Sequence, residues 1–149
     1  MSEQVFNELL SEKGLRVTDT RVSVLRALGG AKSALSHQEI SDTLGSIDRV
    51  TLYRTLHRLE NKQIIHRVAT VDRQTRFALC LKGKRASSVS IDHAHFECNL
   101  CHRIYCLPRT KVSVNTSVSD KSGFQITNRE IRLHGICPEC TNTGRRTEP

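Results

Sequence analysis

The sequence predicts an α+β protein with a winged helix at its N-terminus and a small α/β domain at its C-terminus. Helical patterns run to about residue 61, and two short alternating segments follow them. Helices followed by a hairpin are the element order of a winged helix. Further along, two Cys-x-x-Cys pairs, Cys98/Cys101 and Cys137/Cys140, supply four thiolates. Four thiolates complete the tetrahedral shell of a structural zinc ion, which we expect to hold the second domain together.

Apolar spacing predicts the first two helices. Apolar residues recur at helical intervals between positions 5 and 10, and Gly14 ends this helix. Asp19 or Thr20 is expected to cap the second helix because both side chains can accept a backbone hydrogen bond. The two glycines at 29 and 30 end it.

Capping signals predict the third and fourth helices. Ser36 and Glu39 form a capping box that opens the third helix, and Gly45 ends it. Asp48 caps the fourth helix. Four apolar residues are expected to form the buried side of the fourth helix: Val50, Leu52, Leu56 and Leu59.

Two alternating segments, Ile64–Ala69 and Thr75–Leu81, predict the strands of a hairpin. They complete a winged-helix domain over residues 1–82. The polar and small residues that follow predict a hinge over residues 83–92.

The zinc-stapled α/β domain is expected over residues 93–140. Its predicted elements are a strand at His95–Leu107, a helix at Arg109–Lys121 and a strand at Phe124–His134. The remaining residues, 141–149, read as a flexible tail.

Charge and composition narrow the partners. The chain carries a formal net charge of +8, so a polyanion is a plausible partner. No run of about 20 apolar residues exists to span a membrane, and the N-terminus does not have the pattern of a signal peptide. We therefore expect a cytoplasmic protein with no membrane partner. Thiols stay reduced in the cytosol, which favours metal ligation over the alternative of two disulfides.

The outer face of the fourth helix predicts contact with double-stranded DNA. It presents Arg49, Thr51, Tyr53, Arg54 and Arg58. Arginine can bond guanine bidentately or hold phosphate, and tyrosine offers a hydroxyl and a ring. A solvated amphipathic face is the alternative, but the position just before a hairpin favours DNA reading.

Several segments together resemble the ferric uptake regulator (Fur) superfamily. They are GLRVTDTRVSVLRAL, LSHQEI, RVTLYRTLHRLENKQIIHRV, the His-x-His-x-x-Cys-x-x-Cys run from position 93, and the final Cys-x-x-Cys. The resemblance implies a metal-dependent, homodimeric transcription repressor whose second domain, residues 93–140, forms the dimer. It implies no small-molecule substrate and no enzymatic activity.

The resemblance also assigns DNA contacts. It places Tyr53 and Arg54 against the operator and Arg16 in the minor groove. A two-fold dimer is expected to read palindromic, AT-rich operators of metal-uptake genes.

A regulatory metal site is predicted from the cysteine and histidines that remain. His93 and His95 point to the same side of a strand because strand side chains alternate. His66 and Cys80 fall in the two hairpin strands and can approach the same space. One thiolate and three imidazoles suit tetrahedral Zn²⁺, whereas Fe²⁺ or Mn²⁺ prefers more oxygen ligands.

The resemblance to the superfamily also favours Zn²⁺ as the regulatory ion. Iron and peroxide sensors carry a histidine where this chain has Ala34, and iron sensors carry a glutamate where it has Ala78. The zinc uptake regulator (Zur) branch instead places a cysteine at the position of Cys80. The resemblance therefore implies one structural and one regulatory zinc ion per protomer. Asp92 is an alternative ligand beside His93, and Cys106 is left unassigned.

Two other functions remain open at this level. An iron- or peroxide-responsive regulator would bind Fe²⁺ or Mn²⁺ through His93 and His95. A zinc-dependent deaminase would use His95, Glu97 and the Cys137/Cys140 pair around an open zinc ion.

Overall fold

The computed structural model describes residues 2–69, 74–80, 93–107 and 130–143. Five helices and six strands lie in these ranges. The helices are α1 Glu3–Glu12, α2 Asp19–Gly30, α3 His37–Leu44, α4 Arg49–Asn61 and α5 Pro138–Asn142. The strands are β1 Leu35–Ser36, β2 Ile65–Ala69, β3 Thr75–Leu79, β4 Ala94–Cys98, β5 Ile104–Leu107 and β6 Ile131–Gly135.

Side-chain caps set where the helices begin. Ser36 and Glu39 form the predicted capping box of α3, and Asp48 accepts from the backbone N–H of Thr51 at 2.9 Å. The prediction for α2 is wrong by one residue, because its cap is Thr18 rather than Asp19 or Thr20. Thr18 is the last residue with extended backbone, and only a residue in that conformation can cap the first turn.

The buried side of α4 is narrower than the sequence predicts. Leu52, Leu56 and Leu59 are buried, but Val50 is 57% exposed. Val50 precedes Leu52 by two residues, and positions two apart lie on opposite sides of a helix. The prediction that Val50 faces the core is therefore wrong.

Helices α1 to α4 cover a three-stranded sheet in the order β1-β3-β2. The predicted hairpin is confirmed, with β2 and β3 antiparallel and His66 opposite Ala78. The short strand β1, which the sequence pattern does not predict, pairs with β3. Phe6, Leu25 and Ile64 belong to the core between helices and sheet. Helices α2, α3 and α4 and this sheet form the predicted winged helix.

A second sheet, in the order β5-β4-β6, follows. The single strand predicted at His95–Leu107 is divided into β4 and β5, which pair antiparallel around a tight turn. His102 in that turn has a φ of 54°. Strand β6 runs parallel to β4, and α5 extends through Thr141 and Asn142 into the predicted tail.

Several predicted segments lie outside the described residues. They are the tip of the hairpin, the hinge at 83–92, the helix at 109–121, the start of the last strand and the end of the tail. No helix of the described ranges is long and apolar enough to cross a membrane.

Candidate metal centres and nucleic-acid interface

The four predicted zinc ligands converge in the second sheet. Cys98 ends β4, Cys101 lies in the β4–β5 turn, Cys137 is the N-cap of α5, and Cys140 lies within α5. Their four sulfurs lie within 4.8 Å of one another. The sulfurs of Cys101 and Cys137 are 3.8 Å apart. Zn–S bonds of about 2.3 Å would place two tetrahedral ligand sulfurs about 3.8 Å apart, so the spacing fits zinc.

The polypeptide around this four-cysteine cluster favours thiolates at two positions. Burial raises the pKa of Cys98, but backbone N–H groups of Cys101 and Cys137 outweigh it and lower that pKa to about 6. The nearby hydroxyl group of Tyr105 lowers the pKa of Cys137. Burial raises the pKa of Cys101 and brings that of Cys140 to about 12. A divalent cation would displace the protons that these two thiols retain.

All six cysteines of the chain are free thiols. The disulfide alternative is therefore wrong.

A second cluster of donors joins the two sheets. We call it the histidine–cysteine cluster, and it consists of His66, His93, His95 and Cys106. His95 and Cys106 are direct partners in the β4–β5 ladder, so their side chains lie on one face of the second sheet. His66 enters from β2 of the first sheet.

The spacing in the histidine–cysteine cluster also fits a tetrahedral ion. Nε2 of His66 lies 3.1 Å from Nε2 of His95 and 3.5 Å from Sγ of Cys106. Zinc bonds of about 2.0–2.1 Å to nitrogen and about 2.3 Å to sulfur place such neighbours about 3.3 and about 3.5 Å apart. His93 packs against both histidines, with ring centroids 4.9 Å from His66 and 4.6 Å from His95.

Burial keeps the imidazoles of this cluster neutral. Burial and the neighbouring histidines lower the pKa of His66 to about 4, and burial with His93 lowers that of His95 to about 4. Nε2 of His93 is buried without a hydrogen-bond partner among the described residues. Neutral imidazoles with free nitrogen lone pairs are the form that binds metal.

The thiol of this cluster is not the one that the sequence predicts. Sγ of Cys80, the predicted ligand, lies 3.6 Å from Nδ1 of His66, on the opposite edge of the ring from Nε2. Cys106 instead faces Nε2. The sequence pattern does not single out Cys106, because it predicts one strand over His95–Leu107 instead of β4 and β5. The antiparallel pairing that places Cys106 beside His95 therefore could not be foreseen. Asp92 lies outside the described residues.

The two clusters also contradict the deaminase alternative. That alternative requires His95 to share an ion with Cys137 and Cys140. His95 belongs to the histidine–cysteine cluster, whereas both cysteines complete the four-cysteine cluster. The latter is a closed shell without a position for water or substrate.

The predicted DNA-reading residues of α4 are all exposed: Arg49, Thr51, Tyr53, Arg54 and Arg58. Tyr53 is 60% exposed and stacks on His57. Val50 joins this face. The groove between α3 and α4 is lined by His37, Gln38, Ser41, Ile47, Arg49, Val50 and Tyr53. An exposed groove of this kind offers apolar contacts for thymine methyl groups and polar contacts for base edges or phosphates.

Arg16 lies in the exposed segment between α1 and α2. Its carbonyl oxygen accepts a hydrogen bond from the Arg21 guanidinium, which ties the backbone of this segment to the first turn of α2. The Arg16 side chain is exposed on the same winged-helix unit as α4.

Comparisons with known proteins agree with this arrangement. The model of the ferric uptake regulator family matches residues 12–134. A ferric uptake regulation protein of Synechococcus elongatus is 25% identical over 150 residues, covering 88% of this chain and 89% of that protein. A zinc uptake regulation protein of Escherichia coli is 24% identical over 139 residues, covering 89% and 77%.

Solved structures share the fold. A zinc uptake regulator in complex with zinc and DNA superposes with a TM-score of 0.67 at 20% identity, covering 96% of this chain and 97% of that chain. The chain therefore belongs to the ferric uptake regulator family, whose members are metal-responsive, DNA-binding transcription regulators and not enzymes.

Proposed function

We propose that this protein is a zinc-responsive repressor that binds palindromic, AT-rich operators of metal-uptake genes as a homodimer when its regulatory zinc ion is bound. Residues 1–82 form the DNA-binding domain, residues 83–92 the hinge and residues 93–140 the dimerisation domain. Relatives of both the iron and the zinc branch match at similar identity, so the choice of metal rests on the residues of the regulatory site.

The observation that carries the choice of zinc is the donor set of the histidine–cysteine cluster. Among the described residues it contains three imidazoles and one thiol and no carboxylate. Nitrogen and sulfur ligands in tetrahedral spacing select Zn²⁺, whereas Fe²⁺ and Mn²⁺ favour sites with carboxylate and water oxygens. The thiol of Cys106 supports zinc further, because a soft thiolate is a poor ligand for Mn²⁺.

The position of this cluster explains how the metal would control DNA binding. His66 is supplied by the winged helix, and His93, His95 and Cys106 come from the second sheet. One ion held by both sides fixes the angle between them, and thereby the distance between the two α4 helices of a dimer. That distance must match the half-site spacing of the operator. Without the ion, only a fraction of molecules has this geometry, and the apparent affinity falls by that fraction.

The four-cysteine cluster is proposed to hold a permanent zinc ion. Its closed shell joins the β4–β5 turn to the start of α5. A structural zinc ion of this kind contributes of the order of 10–16 kcal/mol in peptides, so its loss would unfold the second domain. The two zinc sites together give a stoichiometry of two ions per protomer.

The proposed DNA contacts follow the exposed side of α4. Arg49, Arg54 and Arg58 supply charge for phosphate or guanine. Tyr53 and Thr51 supply hydroxyl groups, and Arg16 reaches toward the minor groove. Two copies related by a two-fold axis would read the two halves of a palindrome.

A metal-dependent binding assay tests the proposal. Zinc-loaded protein first selects bound duplexes from a random DNA pool. The selected duplex is then titrated by fluorescence anisotropy at buffered free Zn²⁺, Fe²⁺ or Mn²⁺, with Zn²⁺ retained in the four-cysteine cluster. We expect Zn²⁺ to restore tight binding at the lowest free concentration. Activation by Fe²⁺ or Mn²⁺ but not by Zn²⁺ would instead establish the iron- or peroxide-responsive alternative.

A further inference from the structure

The imidazole of His66 lies between two thiols. Its Nε2 faces Sγ of Cys106 at 3.5 Å, and its Nδ1 faces Sγ of Cys80 at 3.6 Å. One thiol therefore contacts each nitrogen of the same ring. The two thiols cannot have the same role unless the ring or one of the cysteines turns.

The remaining donors decide which nitrogen binds the ion. Nε2 of His95 lies 3.1 Å from Nε2 of His66, and Sγ of Cys106 lies 3.5 Å from the same Nε2. An imidazole binds a metal ion through one nitrogen and carries a hydrogen on the other. Nε2 of His66 is therefore the coordinating atom, and its Nδ1 carries the hydrogen.

A buried N–H group needs an acceptor, because leaving it unpaired costs about 1–3 kcal/mol. His66 is only 4% exposed, and the atom that faces its Nδ1 is Sγ of Cys80. Ligating histidines generally donate their second N–H to a neighbouring group, and that hydrogen bond fixes the orientation of the ring.

Backbone hydrogen bonding fixes Cys80 where its sulfur can accept the Nδ1 hydrogen of His66. The N–H of Cys80 donates to the carbonyl oxygen of Ile64 at 2.9 Å, directly beyond the β2–β3 ladder. His66 pairs with Ala78 in that ladder, so Cys80 is its diagonal neighbour on the same face. His66 and Cys80 thus belong to one rigid hairpin, while Cys106 belongs to the other sheet.

We propose that Cys80 is a positioning residue that accepts the Nδ1 hydrogen of His66, and that Cys106 is the single thiolate ligand of the regulatory ion. This inference rests on the proposed metal site. It replaces the sequence prediction that Cys80 itself is the ligand. It also makes the site a three-imidazole, one-thiolate shell that is completed only when the winged helix and the second sheet come together.

Cobalt substitution counts the thiolates. The full-length protein is prepared with Zn²⁺ in the four-cysteine cluster and its regulatory site emptied by a chelator. Co²⁺ is then added, and the zinc content is measured to show that the structural ion has stayed. Thiolate-to-cobalt charge-transfer absorption reports the sulfur ligands, and the visible bands report tetrahedral geometry.

We expect Cys80→Ser to keep the full charge-transfer intensity of the wild-type protein, because its hydroxyl can still accept from His66. We expect Cys106→Ser to lose that absorption. Cys80→Val removes the acceptor at similar volume and should keep the absorption while binding Co²⁺ about 10- to 100-fold more weakly. Loss or halving of the absorption in Cys80→Ser would overturn the inference.

Nitrogen NMR of the histidine rings tests the same point without a substitution. In the zinc-loaded wild-type protein, Nδ1 of His66 should carry the hydrogen and Nε2 should be the metal-bound nitrogen. The reverse assignment would overturn the inference. If the wild-type protein takes up no Co²⁺ beside its structural Zn²⁺, the proposed function fails, and the role of Cys80 fails with it.

Discussion

The backbone N–H of Ala34 donates a 2.7 Å hydrogen bond to the carbonyl oxygen of Ile104. This bond connects the segment before β1 to β5 of the second sheet. Ala34, Ile104 and Val68 also form a small buried apolar cluster. Val68 lies two residues after His66 and Ile104 two residues before Cys106, so the apolar contact and the histidine–cysteine cluster belong to one interface. Both favour the same arrangement of the two sheets.

We therefore expect Ile104→Ala to weaken zinc binding at the regulatory site although it removes no ligand. The substitution deletes buried methyl groups, which costs about 2–5 kcal/mol in cores, and part of this cost falls on the interface. The arrangement that is competent to bind the ion becomes less populated, so the apparent zinc affinity should fall at least several-fold. Competition with a fluorescent chelator measures it.

The control for this substitution is Val17→Ala, because Val17 is 40% exposed and lies in the segment before α2. It should bind zinc like the wild-type protein. An unchanged zinc affinity in Ile104→Ala, with the fold intact by circular dichroism, would show that the apolar contact and the metal site are independent.

Local signals predicted the helices and caps well because they depend on neighbouring residues. The capping box of Ser36 and Glu39 is recognised from a spacing of three residues, and Asp48 is recognised as a cap because it directly precedes the first turn of α4. The cap of α2 was misplaced because Thr18, Asp19 and Thr20 are all capping residues. The backbone decides among them, and Thr18 is the one with extended φ and ψ.

The metal clusters were only partly predictable because they depend on strand pairing. Four cysteines in two Cys-x-x-Cys pairs predict a metal cluster from their spacing alone. The role of Cys106 cannot be predicted in this way, since it follows from the register of Cys106 opposite His95. That register requires the chain to reverse at His102 with a positive φ of 54°, which a non-glycine residue does not signal in a sequence.

Cys98→Ser should disrupt the second sheet, whereas Cys106→Ser should leave it folded. Cys98 is fully buried and accepts a hydrogen bond from the backbone N–H of Cys137 at 3.3 Å. Its replacement breaks the closed shell of the structural ion. Zinc content per protomer and far-ultraviolet circular dichroism distinguish the two variants. If Cys98→Ser retained the wild-type spectrum and both zinc ions, the structural role of the four-cysteine cluster would be wrong.

Val50→Ala and Tyr53→Ala should each reduce affinity for the selected duplex without changing zinc stoichiometry. Both side chains are more than half exposed on the outer side of α4 and support no part of the core. Loss of a base-edge contact costs about 1–3 kcal/mol, which corresponds to an increase of about 5- to 160-fold in the dissociation constant. Anisotropy titration measures it, with Lys62→Ala beyond the end of α4 as the control. Equal losses in all three variants would argue against α4 as the reading helix.

Removal of the buried Glu97 carboxylate should not destabilise the protein, whereas removal of the Arg132 guanidinium should. Glu97 is 4% exposed, and its Oε2 has no hydrogen bond in the described ranges. Arg132 approaches it to 3.9 Å but also pairs with Glu130 at 2.7 Å. Glu97→Leu leaves Arg132 with Glu130, so we expect it to be neutral or stabilising.

Arg132→Leu instead leaves Glu97 buried without a counter-charge, and we expect it to lower the free energy of unfolding by about 3–5 kcal/mol. Urea denaturation of the zinc-loaded proteins measures both variants. Similar destabilisation by the two substitutions would mean that Glu97 contributes to stability in its own right.

The buried histidines should make the protein without its regulatory ion less stable as the pH falls. The pKa values of His66 and His95 are lowered from 6.5 to about 4 in the folded protein. Between these values the unfolded chain binds more protons, so stability is complete above about pH 6.5 and is lost progressively toward about pH 4. Each shift corresponds to roughly 3 kcal/mol. Because the four-cysteine cluster also responds to acid, the informative quantity is a difference between variants. The loss of unfolding free energy from pH 7 to pH 5 should be smaller in His95→Gln than in the wild-type protein. His57→Gln, at an exposed position of α4, should follow the wild-type profile, and a profile for His95→Gln that also follows it would show that His95 is not held neutral by burial.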